Sequence, residues 1–177
     1  MLERFDEIIL AVGPIPAGTG NRRDRERASV TALLHGLPGY ADAVIAHRPD
    51  GAPYIPGRDV HISISHSRRW AAVALSTGRR VGVDIEEPRT EQLERVAPRI
   101  MTPAELDAYE GRLLEAWTLK EAMYKLGDAE GAPGREFRLP VGDVGPSFRG
   151  LRFEVLFCGQ PAETDCDAHL SLLAEIR

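Results

Sequence analysis

The sequence predicts a mixed fold of α-helices and β-strands arranged in two parts. Apolar and polar residues alternate along VHISIS at 60–65, which is the two-residue period of a half-buried strand. Between Leu113 and Gly127, apolar residues instead recur at the spacing of a core-facing helix: Leu119, Ala122, Met123 and Leu126. Strands accompany a helix in residues 1–77 and several helices in residues 78–177. We therefore expect an N-terminal half and a C-terminal half with these boundaries.

The first half should begin with a strand at 7–12, followed by a helix from near Asn21 to 37. Glycines and prolines between the two indicate a loop, but no GK[ST] sequence follows, so a phosphate-binding loop is not indicated. The first turns of the helix carry four arginines: Arg22, Arg23, Arg25 and Arg27. They could bind phosphate groups or form a solvated face with neighbouring acids, and taken alone the solvated face is favoured.

Three more strands are predicted in this half, at 42–47, 60–65 and 70–75, and the last two should form a hairpin. Ser65, His66 and Ser67 then lie at a strand end, where hydroxyl and imidazole groups can reach a ligand. A serine hydrolase is disfavoured, because the GxSxG sequence is absent and adjacent strand residues point to opposite faces.

The second half opens with a predicted strand, VGVDI at 81–85, that places Asp84 and Glu86 on one face. Two carboxylates so close would repel each other unless they share a cation, although a charged sheet edge is the common alternative. Gly82 should permit close backbone approach to this otherwise apolar strand. The remaining predicted elements are helices at 91–100, 102–110 and 113–127, a short strand at 137–139, and a closing hairpin of 152–157 with 169–176.

The helix at 113–127 carries a polar face of its own. Trp117, Glu121 and Lys125 are stacked at intervals of four residues, and Lys120 flanks Trp117. One aromatic ring, one carboxylate and two ammonium groups are thus expected to converge, as a phosphate and a metal ion would require. The alternative is an ordinary surface ion pair between Glu121 and Lys125.

Composition narrows the class of protein. Cys158 and Cys166 form no CxxC sequence, so neither a disulfide framework nor a cysteine zinc site is supported and a reduced cytoplasm is expected. The start MLERFDE is unlike a signal peptide, and no apolar run is long enough for a membrane span. The net charge of -5 disfavours a general nucleic-acid binder.

Four motifs in this order, ISISHSRRW, VGVDIE, RIMTPAEL and WTLKEAMYK, resemble the 4′-phosphopantetheinyl transferases of the surfactin-synthetase type. The resemblance covers most of residues 20–140. It implies an α+β fold of two similar halves around a central cleft that holds coenzyme A and Mg²⁺. The family usually has a basic residue where this chain has Ala52, and LGDAEGAPG after Lys125 is longer and more acidic than usual.

The resemblance also assigns roles to residues. It implies metal-binding positions at Asp84, Glu86 and Glu121. It implies contacts to coenzyme A, mainly to its phosphates, from Arg27, Ser65, His66, Lys120 and Lys125. Glu121 is in addition the candidate base and Lys125 the residue that offsets charge on the leaving phosphate.

The implied activity is transfer of phosphopantetheine from coenzyme A to a serine of an acyl or peptidyl carrier protein, by a monomer. The alternative is a non-catalytic module that binds a carrier protein or coenzyme A. Asp84→Ala is expected to abolish transfer and to relieve repulsion between carboxylates.

Overall fold

Two antiparallel sheets face each other at the centre of the computed structural model, which describes residues 1–126, 131–162 and 168–176. The first sheet has the strand order β1-β2-β6-β5 within these residues. Its strands are β1 (Leu2–Phe5), β2 (Ile8–Pro14), β5 (His61–His66) and β6 (Trp70–Ser76). Helix α1 (Arg22–His35) covers its outer face, and a separate two-stranded ribbon pairs β3 (Ala46–His47) with β4 (Pro53–Tyr54).

The second sheet is built from the rest of the chain, in the order β7-β10-β9-β8. Its strands are β7 (Val81–Glu86), β8 (Ser147–Phe148), β9 (Leu151–Gly159) and β10 (His169–Glu175). The helices on this side are α2 (Thr90–Ile100), α3 (Pro103–Ala108) and α4 (Leu113–Leu126), followed by a short 3₁₀ helix at Gly134–Glu136. Helix α4 packs on the face of this sheet that points away from the first sheet.

Three groups of buried side chains explain this layering. Leu34 of α1 packs on Val73 of the first sheet, and Leu10 of that sheet packs with Leu172 of the second. On the far side Leu119 of α4 lies in a core with Leu173. The order is therefore helix, sheet, sheet, helix, which confirms the predicted α+β fold class.

Strands β5 and β7 join the two sheets through serine side chains. The Ser63 hydroxyl accepts a hydrogen bond from the backbone N–H of Val83 at 3.0 Å, and the Ser65 hydroxyl accepts one from Ile85 at 3.2 Å. Both serines are buried. The prediction that β5 is only half-buried is therefore wrong, because β7 covers the face that carries these hydroxyl groups.

Most predicted elements are confirmed, including α1, the β5–β6 hairpin, β7 and the antiparallel pairing of β9 with β10. Thr102 and Glu105 form the capping box that starts α3. Helix α3 ends at Ala108 rather than near Glu110, and Gly111 follows with a φ of 73°. The predicted cap at Gly127 and the residue Cys166 lie outside the described residues.

Two predictions about strands need correction, and one strand was missed. Of 42–47 only Ala46–His47 is a strand, because the chain turns at Tyr40 to Ala43 and Val44 is exposed. At 137–139 only Arg138 pairs, in a bridge to Ser147. Strand β1 was not predicted, since its half-exposed sequence LERF carries no clear apolar pattern. None of the helices in the described ranges has the length and apolar character that a membrane span requires.

Candidate functional site

The site is formed where α4 lies against β7, and Gly82 permits that contact. A Cβ placed on Gly82 would lie 2.0 Å from the carbonyl oxygen of Ala122 and 2.9 Å from Cγ of Leu126. No side chain fits at this distance, so the predicted close approach at Gly82 is confirmed. The contact sets the polar face of α4 opposite the carboxylates of β7.

Asp84 is the buried centre of this arrangement. Its Oδ1 accepts hydrogen bonds from the Ser65 hydroxyl at 2.8 Å and from Lys125 Nζ at 2.8 Å. Lys125 Nζ also donates to the carbonyl oxygen of Val83 at 2.9 Å. The second oxygen, Oδ2, is buried and has no hydrogen-bond partner among the described residues. A buried carboxylate oxygen without a donor is costly, which suits a position that a ligand completes.

Glu86, two residues further along β7, is half-buried at the edge of the site. Its Oε1 accepts a short hydrogen bond from Arg89 Nη2 and a longer one, 3.4 Å, from Trp117 Nε1. The guanidinium of Arg89 lies over the Trp117 ring, with Cζ 5.3 Å from the ring centroid. Glu86 is thus neutralised by an arginine that is stacked on α4.

The three predicted metal-binding carboxylates lie close enough for the charge of one to affect the pKa of another. Burial raises the pKa of Glu121, and the charge of Asp84 raises it further. Burial also raises the pKa of Glu86, again with a contribution from Asp84 and a smaller one from Glu121. Even so, no three His, Cys, Asp or Glu side chains in the described part of the chain are arranged to hold a metal ion directly. The metal-binding role of these three residues stays a prediction.

Two grooves share His66 in their linings, and the second of them is also lined by Glu86. The first groove, about 710 Å³, runs along α1 and is lined by Arg23, Glu26, Arg27, Val30, Ile45 and Ile64, among others. The second, about 700 Å³, is lined by Arg22, Ser67, Arg68, Arg69, Glu86 and Arg89, among others. Three of the four α1 arginines, Arg22, Arg23 and Arg27, thus border the grooves, which favours the phosphate-binding interpretation for these three. Arg25 instead donates to the backbone carbonyls of Gly18 and Gly20.

Ser65 and His66, predicted together as phosphate contacts, are placed differently. Ser65 is buried, and its hydroxyl is already engaged by Asp84 and by the N–H of Ile85. His66 points into the grooves, with Nδ1 3.7 Å from Oε1 of the buried Glu26. A ligand in the grooves can reach His66. Ser65 is not accessible to such a ligand and instead helps to position Asp84 through its hydrogen bond.

Lys120 is not part of this cluster. Its Nζ is buried on the side of α4 that faces α3, where it pairs with both carboxylate oxygens of Glu105 at 3.3 Å. It also donates to the carbonyl oxygens of Gly134 and Phe137. The pKa of Lys120 is lowered by burial, and the charge of Glu105 offsets this effect only in part. The prediction that Lys120 converges with Trp117, Glu121 and Lys125 is wrong, because one residue's shift along a helix turns its side chain by about 100°.

Sequence reasoning missed Arg89, and it treated Glu26 as an acidic partner of the α1 arginines and not as a residue of the site. Arg89 stands three residues after Glu86, and Pro88 lies between them. Because the two residues belong to no common helix or strand, the sequence pattern does not link them. Glu26 did carry a signal, because it stands four residues after Arg22 on α1 and pairs with it.

The site lies largely within a stretch that resembles known proteins. Residues 80–166, which are 87 of the chain's 177 residues, match the family model of the 4′-phosphopantetheinyl transferase superfamily. The chain is similar to this superfamily. The matched stretch contains Asp84, Glu86, Glu121 and Lys125, and the α+β fold is consistent with the superfamily.

A relative within that superfamily is a 4′-phosphopantetheinyl transferase of Bacillus subtilis, which is 31% identical to this chain over 84 residues. The alignment covers 42% of this chain and 37% of the relative. The match thus spans little more than a third of the relative's length.

Proposed function

We propose that this chain is a 4′-phosphopantetheinyl transferase of the surfactin-synthetase type. It would move the phosphopantetheine arm of coenzyme A onto a serine of an acyl or peptidyl carrier protein and release adenosine 3′,5′-bisphosphate. The observation that carries the proposal is the opposition of α4 and β7. It sets Glu121 and Lys125 beside Asp84 and Glu86, and Glu86 in turn lines a groove bordered by arginines.

The grooves suit the two ends of coenzyme A. Apolar side chains such as Val30 and Ile64 line the first groove together with Arg27, which fits a nucleoside that carries a phosphate. The second groove has arginines next to Glu86, which fits the pyrophosphate and the start of the pantetheine arm. His66 stands between the two and would donate to a phosphate oxygen.

A magnesium ion fits the chemistry of the carboxylates. Although these carboxylates do not form a ready-made metal site among the described residues, Asp84, Glu86 and Glu121 would hold the ion. All three offer oxygen ligands, and the buried Oδ2 of Asp84 has no donor among the described residues. When bound, the ion would supply charge neutralisation for the pyrophosphate.

The chain's own side chains would orient and deprotonate the acceptor. The serine oxygen forms a bond to the phosphorus that bears pantetheine, and the bond from that phosphorus to the bridging oxygen breaks, releasing the nucleotide. Lys125, fixed by Asp84 and Val83, would face the charge that develops on the leaving phosphate. Glu121 would accept the serine proton, directly or through a water.

We also propose that the chain works as a monomer in the cytoplasm, with halves at 1–77 and 78–177. Residues of both halves meet within the chain, since the Ser65 hydroxyl of the first half donates to Asp84 of the second, and this supports a site within one copy.

The transfer reaction tests the proposal directly. The protein is incubated with coenzyme A, Mg²⁺ and several apo carrier proteins, and each carrier is followed by intact mass. A gain of the phosphopantetheine mass by one carrier is the expected result. If no carrier gains this mass while a known transferase modifies the same carriers, the proposed enzymatic activity is refuted.

A non-catalytic binding module is the second candidate, and one observation favours it. Asp84 is held by Lys125 and Glu86 by Arg89, so the carboxylates are neutralised without a metal. Calorimetry with coenzyme A in the presence and absence of Mg²⁺ separates the two candidates. Binding that does not depend on Mg²⁺ would favour the module.

A further inference from the structure

We propose that the Arg89 side chain changes its ionic partner when ligands bind. It holds Glu86 when no divalent cation is bound, and it turns to a phosphate group of the ligand when a divalent cation takes Glu86. This inference rests on the proposed function, because it assumes that a divalent cation and a phosphate ligand bind at the carboxylates.

The contacts of Arg89 are suited to release. Among the hydrogen bonds of the described residues, its guanidinium makes one, to Oε1 of Glu86. Its Nε is buried and has no acceptor within those residues. A guanidinium has five N–H donors in a planar fork, so most of its donor capacity is available to a phosphate.

Lys125 provides the contrast. Its ammonium donates to Asp84 and also to the backbone carbonyl of Val83 at 2.9 Å, an acceptor that cannot move away from β7. The Arg89 pair has no backbone acceptor in the described structure, and both of its side chains are partly exposed, by 33% for Arg89 and 21% for Glu86. Of the two ion pairs, the one at Glu86 is therefore the easier to open.

Trp117 keeps the released arginine inside the site. The guanidinium lies over its ring, and that cation–π contact does not require Glu86. From this position Arg89 lines the second groove beside Arg22, Arg68 and Arg69. A phosphate in this groove would receive the fork of Arg89 without a large movement of the backbone.

The exchange predicts how the ligands depend on each other. A divalent cation alone must break the Arg89–Glu86 pair and leave the guanidinium without an anion. A cation that arrives with a phosphate ligand leaves Arg89 paired. Arg89 should therefore weaken binding of the cation alone and strengthen the coupling between the cation and coenzyme A, a coupling that is equal in both directions.

Calorimetry with Mn²⁺ on the full chain, with and without coenzyme A, tests this inference. Arg89→Gln should bind Mn²⁺ alone about fivefold more tightly than the unmodified protein, and coenzyme A should increase that affinity by a correspondingly smaller factor. Arg89→Lys keeps the positive charge, so its affinity for Mn²⁺ alone should stay within about twofold of the unmodified protein. It lacks the planar fork, so its coupling between Mn²⁺ and coenzyme A should be smaller. Arg95→Gln, which removes an exposed arginine of α2, is the matched control and should change neither quantity.

The outcomes separate this inference from the proposed function. Arg89 supplies no side-chain cap to α2, so Arg89→Gln is expected to fold, and thermal unfolding checks this. If the unmodified protein binds Mn²⁺ and transfers phosphopantetheine while Arg89→Gln matches Arg95→Gln, only the exchange is overturned. If the unmodified protein binds neither Mn²⁺ nor coenzyme A, the exchange and the proposed function are both overturned.

Discussion

At the scale of single residues, Asp84 shows how contacts change an expectation drawn from charge alone. Repulsion among carboxylates suggested that Asp84→Ala would relieve strain in the metal-free protein. In the structure Lys125 already neutralises Asp84, and Ser65 donates to it. The substitution would leave a partly buried ammonium without its anion, so we expect a loss of about 2 kcal/mol in the free energy of unfolding, less than for a fully buried pair.

The measurement is chemical denaturation of Asp84→Ala without metal, together with its transfer rate. Asp42→Ala is the control, because Asp42 forms an exposed ion pair with Arg58 and should cost at most about 1 kcal/mol. Transfer should be abolished in Asp84→Ala although the variant remains folded. A variant more stable than the unmodified protein would mean that repulsion outweighs the Lys125 pair, and normal turnover would exclude Asp84 from the site.

Lys120 gives a second prediction at this scale. Lys120→Met should destabilise the protein by about 3 kcal/mol, because Glu105 would keep a buried charge without its ammonium partner. Two N–H groups, from Thr102 and Leu139, still donate to that carboxylate and limit the cost. If Lys120 instead bound coenzyme A, the variant would retain its stability and show a raised KM for coenzyme A. Urea denaturation and steady-state kinetics on the same sample distinguish the two results.

At the scale of elements, the packing of α4 on β7 depends on Gly82. Gly82→Ala would force a Cβ against the Ala122 carbonyl, and a backbone atom cannot move aside as a flexible side chain does. We expect a loss of about 3 kcal/mol or more and a reduced transfer rate, because α4 carries Glu121 and Lys125. Gly20→Ala is the control, since no atom lies within 4 Å of its added Cβ. Equal melting temperatures for the two variants would contradict this account of the contact.

The sequence predicts elements best where the signal is local. The Thr102–Glu105 capping box and the apolar stripe of α4 depend on neighbours three and four residues apart, and both are confirmed. Strand β1 is instead defined by its pairing with β2, and its half-exposed residues carry little pattern. The burial of Ser63 on β5 could not be predicted either, because β7 covers it from elsewhere in the chain.

The candidate site follows the same rule. The face formed by Trp117, Glu121 and Lys125 was predicted from helical spacing, and the structure turns it toward β7. Lys120 was assigned to the same site although its position turns it toward Glu105. Arg89 could not be found at all, since the short segment between β7 and α2 that brings it to Glu86 has no regular spacing. Spacing therefore predicts which residues share a face but not which irregular segments close over it.

At the scale of the whole molecule, charge is distributed unevenly. The net charge is -5, yet the two grooves that meet at His66 are bordered by six arginines: Arg22, Arg23, Arg27, Arg68, Arg69 and Arg89. The acids that line the same grooves are Glu26, Glu86 and Glu87. A mainly acidic protein thus presents a basic strip at the candidate site, which would attract phosphates and acidic protein surfaces while the rest of the surface repels them.

This distribution predicts a strong dependence on salt. Between 0.1 M and 1 M NaCl the screening length falls from about 10 Å to about 3 Å, so the attraction of the strip for coenzyme A should be largely lost. We expect the KM for coenzyme A to rise about tenfold over this range, with a much smaller change in kcat. Steady-state kinetics at fixed Mg²⁺ measures both.

Arg27→Gln should start from a higher KM for coenzyme A and show a shallower rise with salt, because Arg27 lines the first groove. Arg149→Gln removes an arginine that pairs with Glu136 and lines neither groove, so it should follow the unmodified protein. A KM that does not change with salt, or identical curves for the two variants, would show that the arginine strip does not bind the coenzyme.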